Sequence, residues 1–465
     1  MELLINLEDK HVPLKNGGCQ SRNRKPVWMS HKALRSVRRK RKVFRNYKDI
    51  SHPAVKSACR VARVELRKSR RNFEEKLALN IKNDSKSFFA YSRSRTRNKV
   101  HVGPVCGNSG SMTASDFEII NSFNGHFASA FTTEDISSIP TPSVSSVPSH
   151  NIFSDVNITQ HYVLQGLSKL RVDKAAGPDE VSARLLIEIK DNIAYPLFVI
   201  FRKSLDEGVV PDDWKSANIS PVFKKGNRNV MDNYRPVSLT SQVCKLFESI
   251  IRDSMVRYLE DNGLIRDSQH GFRKGRSCLS NLLSFMDKVS RYLDSGEPVD
   301  AIFLDFAKAF DKVAHRRLAR KLAVRGISGK VLQWIEACLA DRKQRVRING
   351  TMSTWLLVVS GVPQDSALGP LLFLIYIDDL DDGIINWILK FADDTKIFGK
   401  VQSSAQQQQL QSDLNTLLQW LKDWQMLFNI EKCKVMHFGY HNQEMDYTLN
   451  NRVLQKCMKN GIWVL

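Results

Sequence analysis

Cysteine is sparse and scattered in this 465-residue chain, and its pattern excludes a disulfide framework or a zinc site. The eight cysteines stand at positions 19, 59, 106, 244, 278, 338, 433 and 457, without a Cys-x-x-Cys pair or a Cys/His cluster. Such spacing is typical of reduced thiols. We therefore expect an intracellular protein of the cytoplasm and nucleus.

Long apolar runs and targeting signals are also lacking. No stretch approaches the roughly 20 apolar residues that a membrane-spanning helix needs. The first residues, MELLINLEDKHVP, lack the basic and apolar regions of a signal peptide. The hydrophobic content of 42% is nevertheless sufficient for a packed core. The sequence therefore predicts a folded protein without a membrane-spanning helix.

Acidic residues are scarce in one segment. Residues 21–100 hold 26 Lys or Arg against 5 Asp or Glu, which accounts for nearly all of the net charge of +22. Apolar residues recur there at helical spacing, which predicts two or three basic helices. A segment of this charge is predicted to bind a polyanion. Nucleic acid is the preferred ligand, and an anionic membrane surface is the alternative, because no strong amphipathic anchor is evident.

Three acidic residues mark the candidate active site. The segment VDAIFLDFAKAFDKV reads as a buried strand that ends at Asp305 and turns into a helix. In KFADDTKIF, Asp393 and Asp394 lie between two apolar runs at the turn of a hairpin. Taken alone, Asp305 could equally cap a helix or form a salt bridge. Three carboxylates from two neighbouring strands, however, together suit the binding of two divalent metal ions.

The segments FLDFAKAFDKV, SGVPQDSALGPLLF and FADD, in that order, resemble palm motifs A, B and C of reverse transcriptases. Their flanking sequences are similar to those of non-LTR (LINE-type), jockey-like retrotransposons. The resemblance implies an α+β fold with the fingers and palm of a right-hand polymerase, preceded by a basic helical region. The family's thumb is expected to be missing, and no endonuclease domain fits in front.

Domain limits follow from this resemblance and from composition. We expect a basic, mainly helical region at 1–132, of the type that links endonuclease to polymerase, and a Ser/Pro-rich linker at 133–152. The fingers are predicted at 153–298 and the palm at 299–465, with a reverse transcriptase domain from about 205 to 465.

The resemblance implies an RNA-directed DNA polymerase that extends a DNA primer or target on an RNA template with dNTPs. Two Mg²⁺ ions, with Mn²⁺ as the alternative, would be bridged by Asp305 and Asp393. Asp394 would assist, and the backbone carbonyl of Phe306 would be a further ligand. Asp311 is interpreted as structural, paired with a nearby Arg or Lys.

Other site residues are implied by motif position. A lysine of motif D would protonate the leaving pyrophosphate, and Lys432 is preferred to Lys434, with an ordinary surface lysine as the alternative. Phe310 would pack under the sugar and exclude a 2′-hydroxyl, although a core phenylalanine is the plain interpretation. The remaining predicted nucleotide-binding residues are Lys224, Lys225, Arg235, which is expected in a turn before a helix, and Gln364. A template-contacting turn, with an ordinary basic turn as the alternative, contains Gln269, Gly271, Phe272 and Arg273.

Two features qualify the resemblance. The segment YIDDL at 376–380 is similar to the retroviral active-site motif. Because it follows a dense apolar run, it is interpreted as a helix that ends in acidic residues. Asp365 stands where the family usually has glycine, beside Gln364. The first functional hypothesis is an active polymerase. The alternative is a weak or inactive retrotransposon remnant that only binds nucleic acid, and a group II intron maturase or telomerase-like protein is a distant third.

Overall fold

The computed structural model describes residues 26–81, 84–95, 102–106, 112–113, 115–142 and 152–457. The chain forms two compact units that divide between residues 101 and 102. None of the described helices is long and apolar enough to cross a membrane. Six of the described cysteines are free thiols, as their spacing predicts: Cys59, Cys244, Cys278, Cys338, Cys433 and Cys457.

The first unit is a helical hairpin with a short third helix, which confirms the prediction of basic helices. Helices α1 (His31–Tyr47) and α2 (Pro53–Leu79) run antiparallel and are followed by α3 (Ser85–Arg95). The Ser30 hydroxyl caps α1 by accepting a hydrogen bond from the Ala33 N–H. The Ser69 hydroxyl joins the two helices, because it donates to the Trp28 carbonyl and accepts from the Ser30 N–H.

The second unit contains two mixed sheets surrounded by helices. Its helices are α4 (Asp116–Ala128), α5 (Gln160–Ser168), α6 (Ala183–Glu188), α7 (Lys190–Glu207), α8 (Asp212–Lys215), α9 (Gln242–Asp261), α10 (Cys278–Asp294), α11 (His315–Val324), α12 (Gly329–Leu339), α13 (Gly369–Ile377) and α14 (Ser404–Asp423). Short 3₁₀ turns lie at Met231–Asn233, Ala309–Asp311 and Asp378–Asp381.

The sheet nearer the amino end is built around β1 (Ser216–Phe223). This strand pairs antiparallel with β2 (Tyr234–Leu239) and parallel with β4 (Arg342–Ile348), which also pairs with β5 (Thr351–Met352) and β6 (Leu356–Val358). The apolar side chains of α4 pack against it in a core with Ile219, Tyr234 and Val346.

The second sheet carries the palm motifs. Its strand order is β12 (Gln455–Lys456), β9 (Lys434–Phe438), β3 (Val299–Leu304), β8 (Asp394–Lys400) and β7 (Trp387–Phe391). Helix α10 covers it, with Phe285 and Val289 packed against Val299, Ala301 and Phe398. A short hairpin near the carboxyl end is formed by β10 (Thr448–Leu449) and β11 (Arg452–Val453), and residues 458–465 lie outside the described residues.

Two local predictions were wrong. The chain does not enter an α-helix after Asp305: Lys308 adopts φ 53°, a left-handed conformation that stops helix propagation, and only a 3₁₀ turn follows. Arg235 lies in β2 and not in a turn. Because β2 is an edge strand, it tolerates Pro236 beside Arg235.

The segment before the second sheet is attached more firmly than its composition suggests. Helix α4 belongs to the core of the second unit, although the predicted basic region extends to residue 132. The described part of the predicted linker, 133–142, is bound to the buried Arg317, whose guanidinium donates to the carbonyls of Asp135 and Ser138 at 2.7 and 3.0 Å. Residues 143–151 of the predicted linker lie outside the described residues. The domain limits inside the second unit remain predictions.

Candidate active site

Pairing of β3 with β8 brings the three candidate carboxylates together. Leu304 pairs with Thr395, so the next residues, Asp305 and Asp394, face each other across the two strands. Directly opposed residues of antiparallel strands have Cα atoms about 4.5–5.5 Å apart. Phe391 pairs with Asp394, which leaves a two-residue turn in which Ala392 has φ 55° and Asp393 is half-buried. The predicted hairpin and its position beside the end of β3 are confirmed.

The carboxylates influence one another electrostatically. Desolvation raises the pKa of Asp393, and the negative charge of Asp305 raises it further. Desolvation and the charges of Asp393 and Asp305 likewise raise the pKa of Asp394. Accumulated negative charge of this kind is stabilised by a cation.

One cation already contacts the cluster. The Lys432 ammonium donates a hydrogen bond to Asp305 Oδ2 at 2.8 Å. The Asn429 N–H donates to the Asp305 carbonyl at 2.7 Å, so the turn containing Lys432 is fixed to the end of β3. Within the described residues, no group of three or more His, Cys, Asp or Glu side chains forms a ready-made metal site. Asp305 is thus engaged by Lys432 in this arrangement.

The β1–β2 hairpin supplies further positive charge. The charges of Arg235 and Lys224 both act on Asp393 by lowering its pKa, and Lys224 acts likewise on Asp394. Arg235 pairs with Val222 in the ladder, and Lys224 is the first residue after β1. Lys225 is also exposed, but Lys224 and not Lys225 is among the groups with the largest effect on the pKa of either carboxylate. The structure therefore favours Lys224 of the two lysines.

Motif B packs closely on motif A. A Cβ on Gly361 would lie 2.7 Å from the Phe310 carbonyl oxygen, so only glycine permits this approach. The Phe310 ring is half-buried and stacks on Phe373, with ring centroids 4.6 Å apart. Gln364 donates from its side-chain amide to Asp311 at 3.3 Å. The expected ion pair of Asp311 with an Arg or Lys is not found within 4 Å in the described part of the chain, although the charges of Lys308 and Lys312 act on its carboxylate.

Asp365 adopts a conformation that glycine would favour. Its φ is 79°, as expected for a position where the family usually has glycine. The carboxylate accepts a hydrogen bond from the Lys245 ammonium at 2.7 Å, and Lys174 lies 3.7 Å away. Its negative charge is therefore countered within the protein. The sequence reading missed Lys245, and its position within a helical pattern, far from Asp365 in the chain, gave no signal.

The predicted template turn supports the hairpin between β7 and β8. Gln269 is 1% exposed, and its side-chain oxygen accepts hydrogen bonds from the N–H groups of Gly271 and Ala392 at 2.8 and 2.9 Å. A Cβ on Gly271 would overlap the Ala392 backbone nitrogen. These two residues therefore shape the turn that carries Asp393, a role not anticipated from sequence.

The other two residues of this turn differ in exposure. Arg273 is directed inward, where its guanidinium donates two hydrogen bonds to the Glu260 carboxylate and one to the Arg266 carbonyl. Phe272 is 58% exposed at φ 54°. Of the four predicted template contacts, the structure leaves the Phe272 side chain available to a strand of nucleic acid.

The YIDD segment is a helix end, as predicted. Asp378 and Asp379 are buried and form ion pairs with Arg325 at 3.0 Å and with the fully buried Lys321 at 2.6 Å. The Trp420 Nε1–H also donates to Asp379 at 3.0 Å. These acids are satisfied by protein groups, which distinguishes them from Asp393 and Asp394, for which no ion pair is found among the described residues.

The neighbouring acids have partners as well. Lys390, fully buried on β7, contacts Asp381 at 2.5 Å, and Arg266 pairs with Asp382. The acidic segment after α13 therefore has a structural role, because its ion pairs connect the sheet that contains β7 to the region of helix α11.

Comparisons with known proteins agree with this geometry. The family model described as "Reverse transcriptase (RNA-dependent DNA polymerase)" matches residues 222–451. The RNA-directed DNA polymerase from mobile element jockey of Drosophila melanogaster is 29% identical over 311 residues, covering 64% of this chain and 34% of that protein. The probable RNA-directed DNA polymerase from transposon BS, also of Drosophila melanogaster, is 26% identical over 394 residues, covering 81% and 43%.

The type-1 retrotransposable element R2 polyprotein of Popillia japonica is 26% identical over 174 residues, covering 37% of this chain and 24% of that protein. The chain spans less than half the length of these curated relatives. The matched residues contain the β3–β8 carboxylates, motif B and the Lys432 turn. Residues 222–451 therefore form a reverse transcriptase domain that is similar to those of jockey and related mobile elements.

Proposed function

We propose that this chain is an RNA-directed DNA polymerase that joins dNTPs to the 3′-hydroxyl of a DNA primer or target on an RNA template. The observation that carries the proposal is the meeting of Asp305 with the Asp393–Asp394 turn across β3 and β8. Phosphoryl transfer depends on positioning and charge neutralisation, and a carboxylate cluster beside exposed cations suits both needs.

Reverse transcriptases generally use divalent metal ions, and the donor groups here fit them. Asp305, Asp393 and Asp394, with the Phe306 carbonyl, would hold two Mg²⁺ or Mn²⁺ ions through oxygen atoms. Bound ions would neutralise the triphosphate and favour ionisation of the primer hydroxyl. The raised pKa values of Asp393 and Asp394 express a repulsion that a cation would relieve. Asp305 would then exchange the Lys432 ammonium for a metal ion.

The chain's own cations would hold the phosphates. Lys224 and Arg235 project from the β1–β2 hairpin close enough to lower the pKa of Asp393. A guanidinium can bind two phosphate oxygens at once, whereas an ammonium acts as a compact charge. We assign Arg235 to the triphosphate and Lys224 to the phosphate nearest the carboxylates.

Motifs A, B and D would complete the nucleotide site. The Phe310 ring, held against Phe373, forms a rigid surface under the sugar, and Gln364 is fixed by its bond to Asp311. Lys432, released from Asp305, would donate a proton to the leaving pyrophosphate. This role follows from its 2.8 Å contact with a proposed metal ligand.

The test is primer extension on an RNA template with purified protein and Mg²⁺. Asp393→Asn and Asp393→Ala should each reduce incorporation at least about 100-fold, because several kcal/mol of charge stabilisation are lost. Asp287→Asn, which removes a carboxylate from an exposed ion pair of α10, is the matched control and should retain activity. Equal incorporation by the Asp393 and Asp287 variants would refute the assignment.

A non-catalytic nucleic-acid-binding role is the second candidate, and the observation that favours it is the presence of Asp365 in motif B. The ion pairs with Lys245 and Lys174 counter its charge, so we expect the natural chain to synthesise DNA at a rate similar to that of Asp365→Gly. Incorporation by Asp365→Gly alone, with RNA binding equal in both proteins, would support the remnant instead.

A further inference from the structure

Charge is divided unevenly along the helical hairpin of the first unit. The turn half, residues 35–63, contains eleven Lys or Arg against one acidic residue, Asp49. The open half, residues 26–34 and 64–81, contains six Lys or Arg against three Glu. The contacts of Ser30 with Ser69 and of Lys32 with Glu65 set the register that defines these halves.

The acidic residues of the hairpin form ion pairs in the open half, where the excess of Lys and Arg over acidic residues is smaller. In the open half, Glu65 pairs with Lys32 at 3.3 Å, and Glu74 and Glu75 pair with the arginines four residues before them, at 2.8 and 2.9 Å. In the turn half, Asp49 instead accepts two hydrogen bonds from Ser51, both at 2.7 Å. Within residues 26–81, no ion pair is found for a turn-half cation.

All eleven turn-half cations are exposed: Arg35, Arg38, Arg39, Lys40, Arg41, Lys42, Arg45, Lys48, Lys56, Arg60 and Arg63. Those of α1 from Arg38 to Arg45 span about 10 Å at the 1.5 Å rise of a helix. Like charges at this density repel one another, so the surface is stabilised by a partner that carries closely spaced anions.

The distribution around α1 favours nucleic acid over a membrane surface. The five consecutive residues 38–42 are all Lys or Arg, and successive helix residues are rotated by about 100°, so cations occupy its whole circumference there. A helix lying in a lipid interface needs one broad apolar face, which this segment of α1 does not offer. Phosphates of a nucleic-acid backbone can be contacted from several sides of a helix.

We propose that the turn half of the hairpin is a binding surface for the nucleic-acid phosphate backbone, independent of base sequence and distinct from the polymerase site. It lies outside the matched reverse transcriptase domain of 222–451. Its binding therefore does not depend on metal ions or on nucleotide incorporation.

The experiment compares two charge-matched triple variants of the full chain. The turn-half triple is Arg38→Gln, Arg41→Gln and Arg45→Gln. The open-half triple is Arg67→Gln, Lys68→Gln and Lys76→Gln, three residues that are also exposed. Glutamine preserves helix propensity, and circular dichroism checks that the hairpin remains helical. Binding to a labelled 30-nucleotide RNA of mixed sequence is measured without divalent metal from 50 to 300 mM salt.

The turn-half triple should weaken RNA binding roughly tenfold or more at the lowest salt. It should also reduce the slope of log K against log salt by about 2, since each lost phosphate contact removes about 0.7–0.9. The open-half triple should change both quantities much less. Equal losses in the two triples would show that net charge alone matters and would overturn the proposal. Unchanged RNA binding by the turn-half triple, with loss of binding to phosphatidylserine vesicles, would overturn it in favour of a membrane surface.

Discussion

Lys432 and Asp305 form an ion pair at the centre of the candidate active site, with the ammonium 2.8 Å from Oδ2 of the carboxylate. The backbone contact between Asn429 and Asp305 holds the Lys432 turn beside the carboxylate. Asp305 can hold the ammonium or another cation. Lys432 is therefore free to approach a leaving group only when Asp305 has acquired a different partner.

Replacing Lys432 should impair chemistry more than nucleotide binding. Lys432→Ala is expected to lower the rate constant of incorporation by about 10²-fold or more, because general acids contribute about 10²–10⁴-fold. Lys432→Arg should be similarly slow, since a guanidinium remains protonated at working pH. Single-turnover rates against pH are the measurement.

Lys434 provides the control for that experiment. It is an exposed lysine of the adjacent strand β9, and Lys434→Ala should leave the rate and the pH profile unchanged. If Lys434→Ala and Lys432→Ala behave alike, the ion pair with Asp305 does not identify the proton donor.

Phe310→Ala should relax sugar selection. The ring is held by stacking on Phe373 beside motif B, so its removal opens space for a 2′-hydroxyl. The ratio of dNTP to rNTP incorporation, measured as kcat/KM, should fall by at least about tenfold, equivalent to about 1.4 kcal/mol. Phe303→Ala, which removes another half-buried ring from β3, should reduce stability without changing this ratio. An unchanged ratio in Phe310→Ala would assign the ring to the core alone.

Local patterns were sufficient to predict the strands and the hairpin that carry the acids. Alternating and continuous apolar runs marked β3, β7 and β8, and the acid pair marked the turn. The pattern could not reveal that Lys308 would adopt a left-handed conformation and interrupt the expected helix. Backbone conformation at a single residue depends on tertiary contacts, and the Ala307 N–H, next to Lys308, donates to the Leu427 carbonyl at 2.8 Å, a partner far along the chain.

Long-range partners were beyond the reach of sequence patterns. Arg273 was expected to face the template because it lies in a basic turn, but its guanidinium pairs with Glu260 of helix α9. Gln269 was expected at the same surface and instead supports the Ala392 turn. A charge in a turn indicates exposure only when no acid of another element reaches it, and that information is absent from the local sequence.

The buried pair of Lys321 and Asp379 should be important for stability. The Lys321 ammonium has no solvent exposure, contacts Asp379 at 2.6 Å and lies 3.4 Å from the centre of the Trp424 ring. Lys321→Met should lower the free energy of unfolding by about 3–5 kcal/mol, because it leaves a buried carboxylate without its cation. Lys321→Met with Asp379→Asn should recover part of this loss, since asparagine retains an acceptor for Trp420. Urea unfolding measures both, and equal instability of the single and double variants would contradict the explanation.

Asp311 should make stability depend on pH in mildly acidic solution. Desolvation raises its pKa from 3.8 to about 6, despite the nearby charges of Lys308 and Lys312. Between these two values the folded protein retains a proton that the unfolded chain has released, so the free energy of unfolding falls as pH rises from about 4 to 6. The contribution is at most about 3 kcal/mol, because one pKa unit corresponds to about 1.4 kcal/mol.

Asp311→Asn isolates this contribution, because it removes the ionisation and retains a partner for the Gln364 amide. The variant and the natural chain should have similar stability near pH 4, and the variant should be more stable at pH 7 by up to about 3 kcal/mol. The measurement is urea unfolding at pH 4, 5, 6 and 7, with Asp287→Asn as a control for removing an exposed carboxylate. A constant difference between Asp311→Asn and the natural chain across this range would show that the Asp311 carboxylate does not titrate there. A stability difference that grows with pH in Asp311→Asn but not in Asp287→Asn would confirm that Asp311 is held as the acid between motifs A and B.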